Sequence, residues 1–352
     1  ERRVAESGRC SALVRVADGN QELFMGHTTW DDYSKMTRVF KYYKFHIEDA
    51  ETVGTHIAFS GYPGVISSTD DFYMTDSGLA VMETSLELLD RSAWDGVLDF
   101  PTNPHLPNFV HVMVATRLAK SAAHWARTFS SVNTGTYTSQ WMAVDYNKFK
   151  PGAPVQDNTL WVVEAIPGLV QLADMSGFLR EHGFWPSFNR PFFKRVREAS
   201  GHASAERSHG TLYSWDANPR AAIFAAAAVN ANGLFDMRRL MSGNSYDRTG
   251  AAQSQGSPGH QISARMDLLA GLSVPNGGID TKITSSCFIA KMEVQAISGP
   301  SHQGLPPFRW TTADGSELWP GWPHTGLPDV WDFDFVQMSP QGFGELDDTA
   351  GC

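Results

Sequence analysis

At 352 residues with a formal net charge of -10, the chain is long enough to bury a sizeable core and too acidic, with no run of Lys or Arg, to offer a nucleic-acid footprint. Its longest uninterrupted apolar run, the nine residues 221–229, falls far short of the roughly 20 needed to span a bilayer as a helix. Aromatic content of 12%, with 31 Gly and 19 Pro, predicts bulky side chains and many turns, the mixture of a strand-rich α+β domain rather than of a disordered chain.

The sequence opens on Glu1-Arg2-Arg3, with neither Met nor the apolar stretch of a signal peptide, and reads as a processed or truncated product lacking an upstream part. Residues 11–30 predict a hairpin: Ala12-Leu13-Val14, a turn at Ala17-Asp18-Gly19-Asn20, then Leu23-Phe24-Met25, which places Cys10 at a strand's leading edge. A strand pair is expected at 55–60 and 64–67 around Gly61-Tyr62-Pro63, and another at 71–75 and 78–84, together a β-meander. Val110, Val114, Leu118 and Ala122 recur every fourth residue, with Trp125 three further on, and predict one helix over 108–129. Strands follow at 140–145 and 160–166, and a helix at 220–241. The Gly/Ser/Gln-rich residues 242–259 read as a long loop, and the Pro/Trp/Gly-rich tail from Pro306 as irregular surface wrapping. Without a repeat or a linker, residues 10–352 read as one domain, preceded by a leader or remnant at 1–9.

Three cysteines, Cys10, Cys287 and Cys352, leave at least one free or paired outside the chain, and no Asn-x-Ser/Thr sequon occurs. Cys10 follows the small, flexible Ser7-Gly8-Arg9. If the Arg9–Cys10 bond is cut, Cys10 gains an α-amine of reference pKa about 7.7–8.0 beside a thiol of about 8.5, so one residue holds both base and nucleophile. The competing reading is a buried structural thiol.

An ordered set of strings then resembles the phospholipase B-like family over nearly the whole chain. These are Cys10-Ser11-Ala12-Leu13-Val14, Gly26-His27-Thr28-Thr29-Trp30, Tyr62-Pro63-Gly64, Asp70-Asp71-Phe72-Tyr73, Gly135-Thr136-Tyr137, Gln140-Trp141-Met142, Pro219-Arg220-Ala221, Ile262-Ser263-Ala264-Arg265, Gly277-Gly278-Ile279-Asp280 and Gly326-Leu327-Pro328-Asp329. The resemblance implies the αββα sandwich of N-terminal-nucleophile hydrolases, with a smaller upstream fragment released by self-cleavage before Cys10. It implies an acyl hydrolase of ester or amide bonds that needs no cofactor or metal, with phospholipid deacylation suggested by the family's name. A lysosomal or secreted location follows in the same way. Partners are then a lipid or amide small molecule and the precursor's own upstream fragment, with a homo-oligomer left open.

The family's pocket positions fall on Cys10, His27, Trp30, Asn189 and Arg220. By that resemblance Cys10 is the nucleophile, Asn189 the oxyanion donor, Arg220 a fork that orients the nucleophile's surroundings or holds a carboxylate, and His27 an orienting group for the amine or the substrate. Trp30, Ser85, Thr138 and Ser139 are carried as substrate contacts. The last three depart from the family pattern, Thr138 and Ser139 standing where a pair of asparagines is usual and Ser85 where Thr is usual, so hydroxyls of different reach line those positions. Attached residues 1–9 block the α-amine, which keeps a silent binding protein of the same fold, or a Cys-His protease working with an intact preceding peptide, as alternatives. His182, His202 and His209 lack ligand spacing for zinc, Gly256 and Gly259 lack a phosphate-loop Lys, and Trp319, Trp322 and Trp331 read as packing.

Overall fold

The computed structural model describes residues 9–97, 106–247 and 256–346. Its strands are Cys10–Val16 (β1), Leu23–Asp32 (β2), Val39–Lys44 (β3), His56–Gly61 (β4), Phe72–Thr75 (β5), Leu79–Ser85 (β6), Ser139–Asp145 (β7), Leu160–Ile166 (β8), Leu169–Asp174 (β9), Phe184–Ser187 (β10), Asn276–Ser285 (β11), Val294–Ser298 (β12), Phe308–Arg309 (β13), Val330–Trp331 (β14), Val336–Ser339 (β15) and Gly342–Gly344 (β16). They form two seven-stranded antiparallel sheets, β10-β1-β2-β11-β12-β15-β16 and β3 through β9 in sequence order, with β13-β14 as a small ladder apart.

Side chains alternate between the two faces of each strand, and one set of faces stacks these sheets. Ala12, Val14, Leu23 and Met25 of the first sheet meet Phe72, Met74, Met82, Met142 and Val144 of the second in a shared core. The opposite faces are also covered. Tyr73, Val81, Trp141 and Ala143 lie under the helices Asn108–Leu118 and Ala122–Ser131, and Leu13, Phe24 and Ile283 lie under Pro219–Ala227 and Leu234–Met241. Because both faces of each sheet are buried, central strands such as CSALVRV and SQWMAVD read as nearly continuous apolar runs. The fold class is therefore α+β in four layers, αββα, as expected.

Three elements differ from the sequence reading. Residues 64–67 form no strand: Gly64 turns the chain at φ 79°, and the partner of β4 is β3, whose half-buried alternation was not singled out. The helix over 108–129 is two helices, because Ala119 is extended (ψ 114°) and Ser121 Oγ caps the second by accepting the His124 N–H. Its buried face is His111, Val112 and Ala115, while Val114 is exposed, so the every-fourth pattern marked the wrong side. The helix over 220–241 is likewise interrupted before Gly233, where Leu234–Met241 begins. The tail from Pro306 is less irregular than expected, carrying β13–β16 and burying Phe308, Trp310 and Trp331 against Tyr33 and Ile279, with Trp319 and Trp322 packed at the margin. Cys287 is disulfide-bonded and Cys10 is the free cysteine among the described residues, whereas Cys352, the leader at 1–8 and 248–255 of the 242–259 loop lie outside them. Among the described residues no helix is long and apolar enough to cross a membrane.

One glycine is required by geometry. Gly135 has φ 68°, and an added Cβ would lie 2.1 Å from the Ile166 carbonyl oxygen. Left-handed strain of about 1–2 kcal/mol and overpacking of about 1–3 kcal/mol add, so Gly135→Ala is expected to lose about 2–5 kcal/mol of unfolding free energy in urea melts.

Candidate active site

Cys10 begins β1 with its side chain in the shared core between the sheets, 4% exposed. Antiparallel pairing puts Thr29 of β2 opposite Cys10, and Asp280 of β11 opposite Thr29 on the far side. A bulge between Gly278 and Asp280 sets the register there, so that Asp280 and Lys282 both turn into the buried layer.

The Arg9–Cys10 bond is intact, and its carbonyl and the backbone groups on either side of it are held. Asn189 Oδ1 accepts the Arg9 N–H at 3.1 Å, the Trp30 N–H donates to the Arg9 carbonyl at 2.5 Å, and Arg220 Nη1 donates to the Cys10 carbonyl at 2.7 Å. Arg220 comes from the first turn of Pro219–Ala227, whose start is fixed by Asn218 accepting the Arg220 N–H. Its other contacts are Ser11 Oγ at 3.1 Å, the Phe188 carbonyl at 2.7 Å and Asn189 Oδ1 at 2.8 Å, and its guanidinium lies 4.4 Å from the centre of the Trp30 ring. Burial, then the cation of Arg190, presses the Arg220 pKa down, yet every side-chain hydrogen bond given for it is to an oxygen, the arrangement of the protonated fork. Among the described residues no carboxylate pairs with it, so its charge is free to act on the peptide it holds. Arg220→Lys keeps a charge but cannot reach these oxygens together, and the orphaned buried acceptors cost about 1–3 kcal/mol. The expected result is a melting temperature lower by several degrees and slower chemistry at Cys10 by roughly 10²-fold, read by peptide-bond cleavage and acyl hydrolysis in parallel.

Asn189 sits at φ 68° and donates Nδ2 to the Ser85 carbonyl at 2.7 Å. Two donors at Oδ1 and an acceptor at Nδ2 fix its amide orientation, so in the uncut chain Asn189 positions Arg9 and Arg220, and the N–H aimed at a carbonyl oxygen beside Cys10 is that of Trp30. The Trp30 ring lies on the opposite face of the sheet, bonding the Ile262 carbonyl through Nε1 and packing on Ala264 and Met266. His27 is fully buried opposite Ala12, two pairs along the ladder from Cys10. Its Nε2 lies 2.8 Å from the Glu83 carbonyl and therefore carries the proton, leaving Nδ1 toward Thr29 Oγ1 at 3.5 Å. Burial, then Lys282, lowers its pKa to about 3, so the ring is neutral, and no hydrogen bond joins it to Cys10 among the described residues.

The Thr138 and Ser139 hydroxyls are committed within the chain, and at Ser85 the bonded group is the backbone carbonyl. Ser85 offers its carbonyl to Asn189, Thr138 Oγ1 donates to the Leu86 carbonyl at 2.6 Å, and Ser139 Oγ accepts the Trp141 indole N–H at 2.7 Å on the helix-covered face of the second sheet, away from Cys10.

Charged residues that the sequence reading gave no role surround the thiol's layer. Lys282 Nζ donates to Thr29 Oγ1 at 2.7 Å, Asp70 Oδ2 at 2.9 Å and Asp280 Oδ1 at 2.7 Å, while Arg38 pairs with the same two carboxylates at 2.5 and 2.7 Å. Burial alone would raise the Asp70 carboxyl, but Arg38 and Lys282 outweigh it and hold it well below the usual range. Asp70 lay in a quoted string and Lys282 alternates with Asp280 on an otherwise strand-like segment, and that alternation of charges inside a buried strand was the legible signal. The Cys10 thiol itself is pushed well above its ordinary value by burial, then by Glu83, with the Trp30 N–H and Lys282 pulling the other way.

Residues 1–338 match the family model described as Phospholipase B. The chain belongs to the phospholipase B family. It is 39% identical over 347 residues to phospholipase B-like protein C of Dictyostelium discoideum, covering 96% of this chain and 60% of that protein. It is 34% identical over 336 residues to phospholipase B-like 1 of Homo sapiens, covering 95% and 58%. The chain thus spans about three fifths of the length of these phospholipase B-like relatives. Solved structures similar to it include a conjugated bile acid hydrolase variant from Clostridium perfringens, 12% identical with TM-score 0.45 over 82% of this chain and 89% of that one. A Caenorhabditis elegans N-acylethanolamine-hydrolyzing acid amidase ortholog aligns at 7% identity and TM-score 0.38 over 78% and 92%.

Proposed function

We propose that this phospholipase B family member is an acyl hydrolase of ester or amide bonds whose nucleophile is the Cys10 thiol, exposed with its own α-amine after self-cleavage of Arg9–Cys10. The observation that carries the reading is the backbone hold around that bond: its carbonyl oxygen by the Trp30 N–H, the Arg9 N–H before it by Asn189 and the Cys10 carbonyl after it by Arg220. The linkage is held on the side of the Cys10 thiol, and a backbone N–H already placed on its carbonyl oxygen stabilises the charge that attack creates. Once Arg9 leaves, the Cys10 amine takes the thiol proton, the thiolate attacks a substrate carbonyl and an acyl-enzyme forms and is hydrolysed. Asn189 and Arg220 then frame the vacated subsite, with the second Nδ2 proton of Asn189, the first being on the Ser85 carbonyl, as the oxyanion donor.

Phospholipid is the proposed substrate, from the names of the relatives; bile acid conjugates and N-acylethanolamines are named for the amidase-type structures. Residues 10–352 serve as one catalytic unit in a lysosomal or secreted setting, joined by the upstream fragment. The deciding experiment is N-terminal and intact-mass analysis of the full-length protein during incubation, with an acyl-chain-bearing electrophile added. A new terminus at Cys10 followed by acylation there supports the reading. An uncut chain that still hydrolyses ester and amide probes refutes it.

A further inference from the structure

Both backbone groups of Arg9 are bonded, one as acceptor and one as donor. Its carbonyl oxygen accepts the Trp30 N–H at 2.5 Å, and its N–H donates to Asn189 Oδ1 at 3.1 Å. Asn189 is 3% exposed and its amide is fixed without help from Arg9, because Nδ2 donates to the Ser85 carbonyl at 2.7 Å and Oδ1 also accepts Arg220 Nη2 at 2.8 Å. Arg9 is nonetheless an exposed residue, so the part of it that faces solvent is the side chain.

Under the proposed mechanism the Cys10 sulfur carries two acyl groups in turn. In self-cleavage the sulfur bonds to the Arg9 carbonyl carbon, the carbon–nitrogen bond breaks, and the nitrogen leaves with its electron pair and the thiol's proton. Water then adds, Arg9 keeps its oxygen as a carboxyl and the sulfur recovers a proton. In each later turnover the substrate's acyl group forms a thioester with the same sulfur, so the contacts that hold the first acyl group are offered to the second. That first group is an α-aminoacyl unit with a donor N–H on its α-carbon. When Arg9 has left, Asn189 Oδ1 keeps Arg220 on one lone pair and presents the other to the vacated subsite. A fatty acyl chain has a methylene at that point and leaves the lone pair unmet, whereas an acyl group with an N–H there meets it.

We propose that the Cys10 site also hydrolyses esters and amides of N-acyl-α-amino acids, and takes them in preference to fatty acyl esters of the same length because Asn189 Oδ1 accepts the N–H of the acyl group. The inference rests on the proposed self-cleavage and on Cys10 as nucleophile. Each turnover balances as follows. The sulfur bonds to the acyl carbon, and the alcohol or amine leaves with its bonding pair and the proton that the Cys10 amine took from the thiol. Water then releases the N-acyl-amino acid and returns a proton to the sulfur. The substrate's α side chain takes the outward direction of the Arg9 side chain, so the site selects the N–H and not one amino acid.

The test uses the full-length protein after cutting, with three methyl esters: N-acetylglycine, N-acetylsarcosine, whose nitrogen is methylated, and 4-oxopentanoate, in which a methylene replaces the N–H. Each kcat/KM is divided by that ester's own rate with hydroxide, which removes differences in intrinsic reactivity. The corrected value for N-acetylglycine is expected to lie roughly tenfold above both others, the effect of one hydrogen bond to a buried oxygen. Asn189→Ala, with a thermal melt as folding control, is expected to slow all three esters and bring their corrected values together, a levelling that a purely structural role does not produce. Should that variant fail to fold, the wild-type comparison decides alone. Equal corrected values in wild type, or a ratio that survives in folded Asn189→Ala, overturns the inference and leaves the nucleophile standing. So does a cut chain that an acyl electrophile labels at Cys10 but that turns over none of the three. A wild-type chain that never cuts at Cys10, or hydrolysis that persists in Cys10→Ala, sinks the self-cleavage reading and this inference together.

Discussion

Cys10→Ala is expected to leave Arg9–Cys10 intact and to reduce acyl hydrolysis by roughly 10³- to 10⁶-fold, the range seen when a covalent nucleophile is deleted and only binding and oxyanion contacts remain. The strand itself should persist. Cys10 is a small buried residue whose Sγ makes no hydrogen bond to a side chain among the described residues, and its backbone contacts to Arg220 and β2 do not involve the thiol. Removing one sulfur from the core costs about 1 kcal/mol by area, so the melting curve should lie close to wild type. Cys10→Ser tests the nucleophile more finely, because a hydroxyl is a weaker nucleophile than a thiol in the same place, and slow cutting at the same bond is the expected result. In the uncut chain burial and Glu83 keep the thiol protonated far above neutrality, so a maleimide should label Cys10 only after the new terminus forms. Labelling that precedes cutting, or hydrolysis that survives in Cys10→Ala, places the chemistry elsewhere.

The largest loss of stability is expected for Lys282→Met. The ammonium is 2% exposed and bonded to Asp70, Asp280 and Thr29, and its removal leaves two fully buried carboxylates sharing Arg38 alone. Breaking a buried pair in this way costs about 3–5 kcal/mol, which urea melts resolve. Asp280→Asn in the same chain should restore part of the loss by removing one uncompensated charge. The pH dependence has a definite sign. The folded carboxyl of Asp70 is held below its unfolded value by Arg38 and Lys282, so its contribution is present above the unfolded pKa, about 3.9, and is lost as pH falls through the folded one. Lys282→Met weakens that depression, so the gap between variant and wild type should narrow in acid. A gap that stays constant from neutral pH down to pH 3 contradicts this account.

The layered α+β class was legible because strands buried on both faces leave near-continuous apolar runs, and β7 and β8 were placed to within a residue at each end. The helix over 108–129 was not, because its apolar repeat at Val110, Val114 and Leu118 is genuine in sequence while the packing face is chosen by Trp125, whose indole bonds Thr116 across the break. At the site, Cys10, Asn189 and Arg220 lie together, since Arg220 touches both of the others. Ser139 and Thr138 could not be read from sequence, because which face a strand residue takes decides whether a hydroxyl meets substrate or an indole. Lys282, Arg38 and Glu83 escaped because a buried charge looks like a surface one until its partners, more than 50 residues away for Tyr137 and more than 200 for Asp70 and Arg38, are known.

The hold on Arg9 also bears on time courses. Its carbonyl and N–H are held by Trp30 and Asn189 in the uncut chain, and under the proposed self-cleavage those same contacts would keep the new carboxyl end seated where an incoming acyl group must go. Cutting then produces an enzyme occupied by its own product, tethered at high local concentration by whatever chain still precedes it. Turnover should begin after a lag that outlasts the appearance of the new terminus, and dilution should shorten that lag only where the departing peptide is no longer covalently linked to anything the folded body retains.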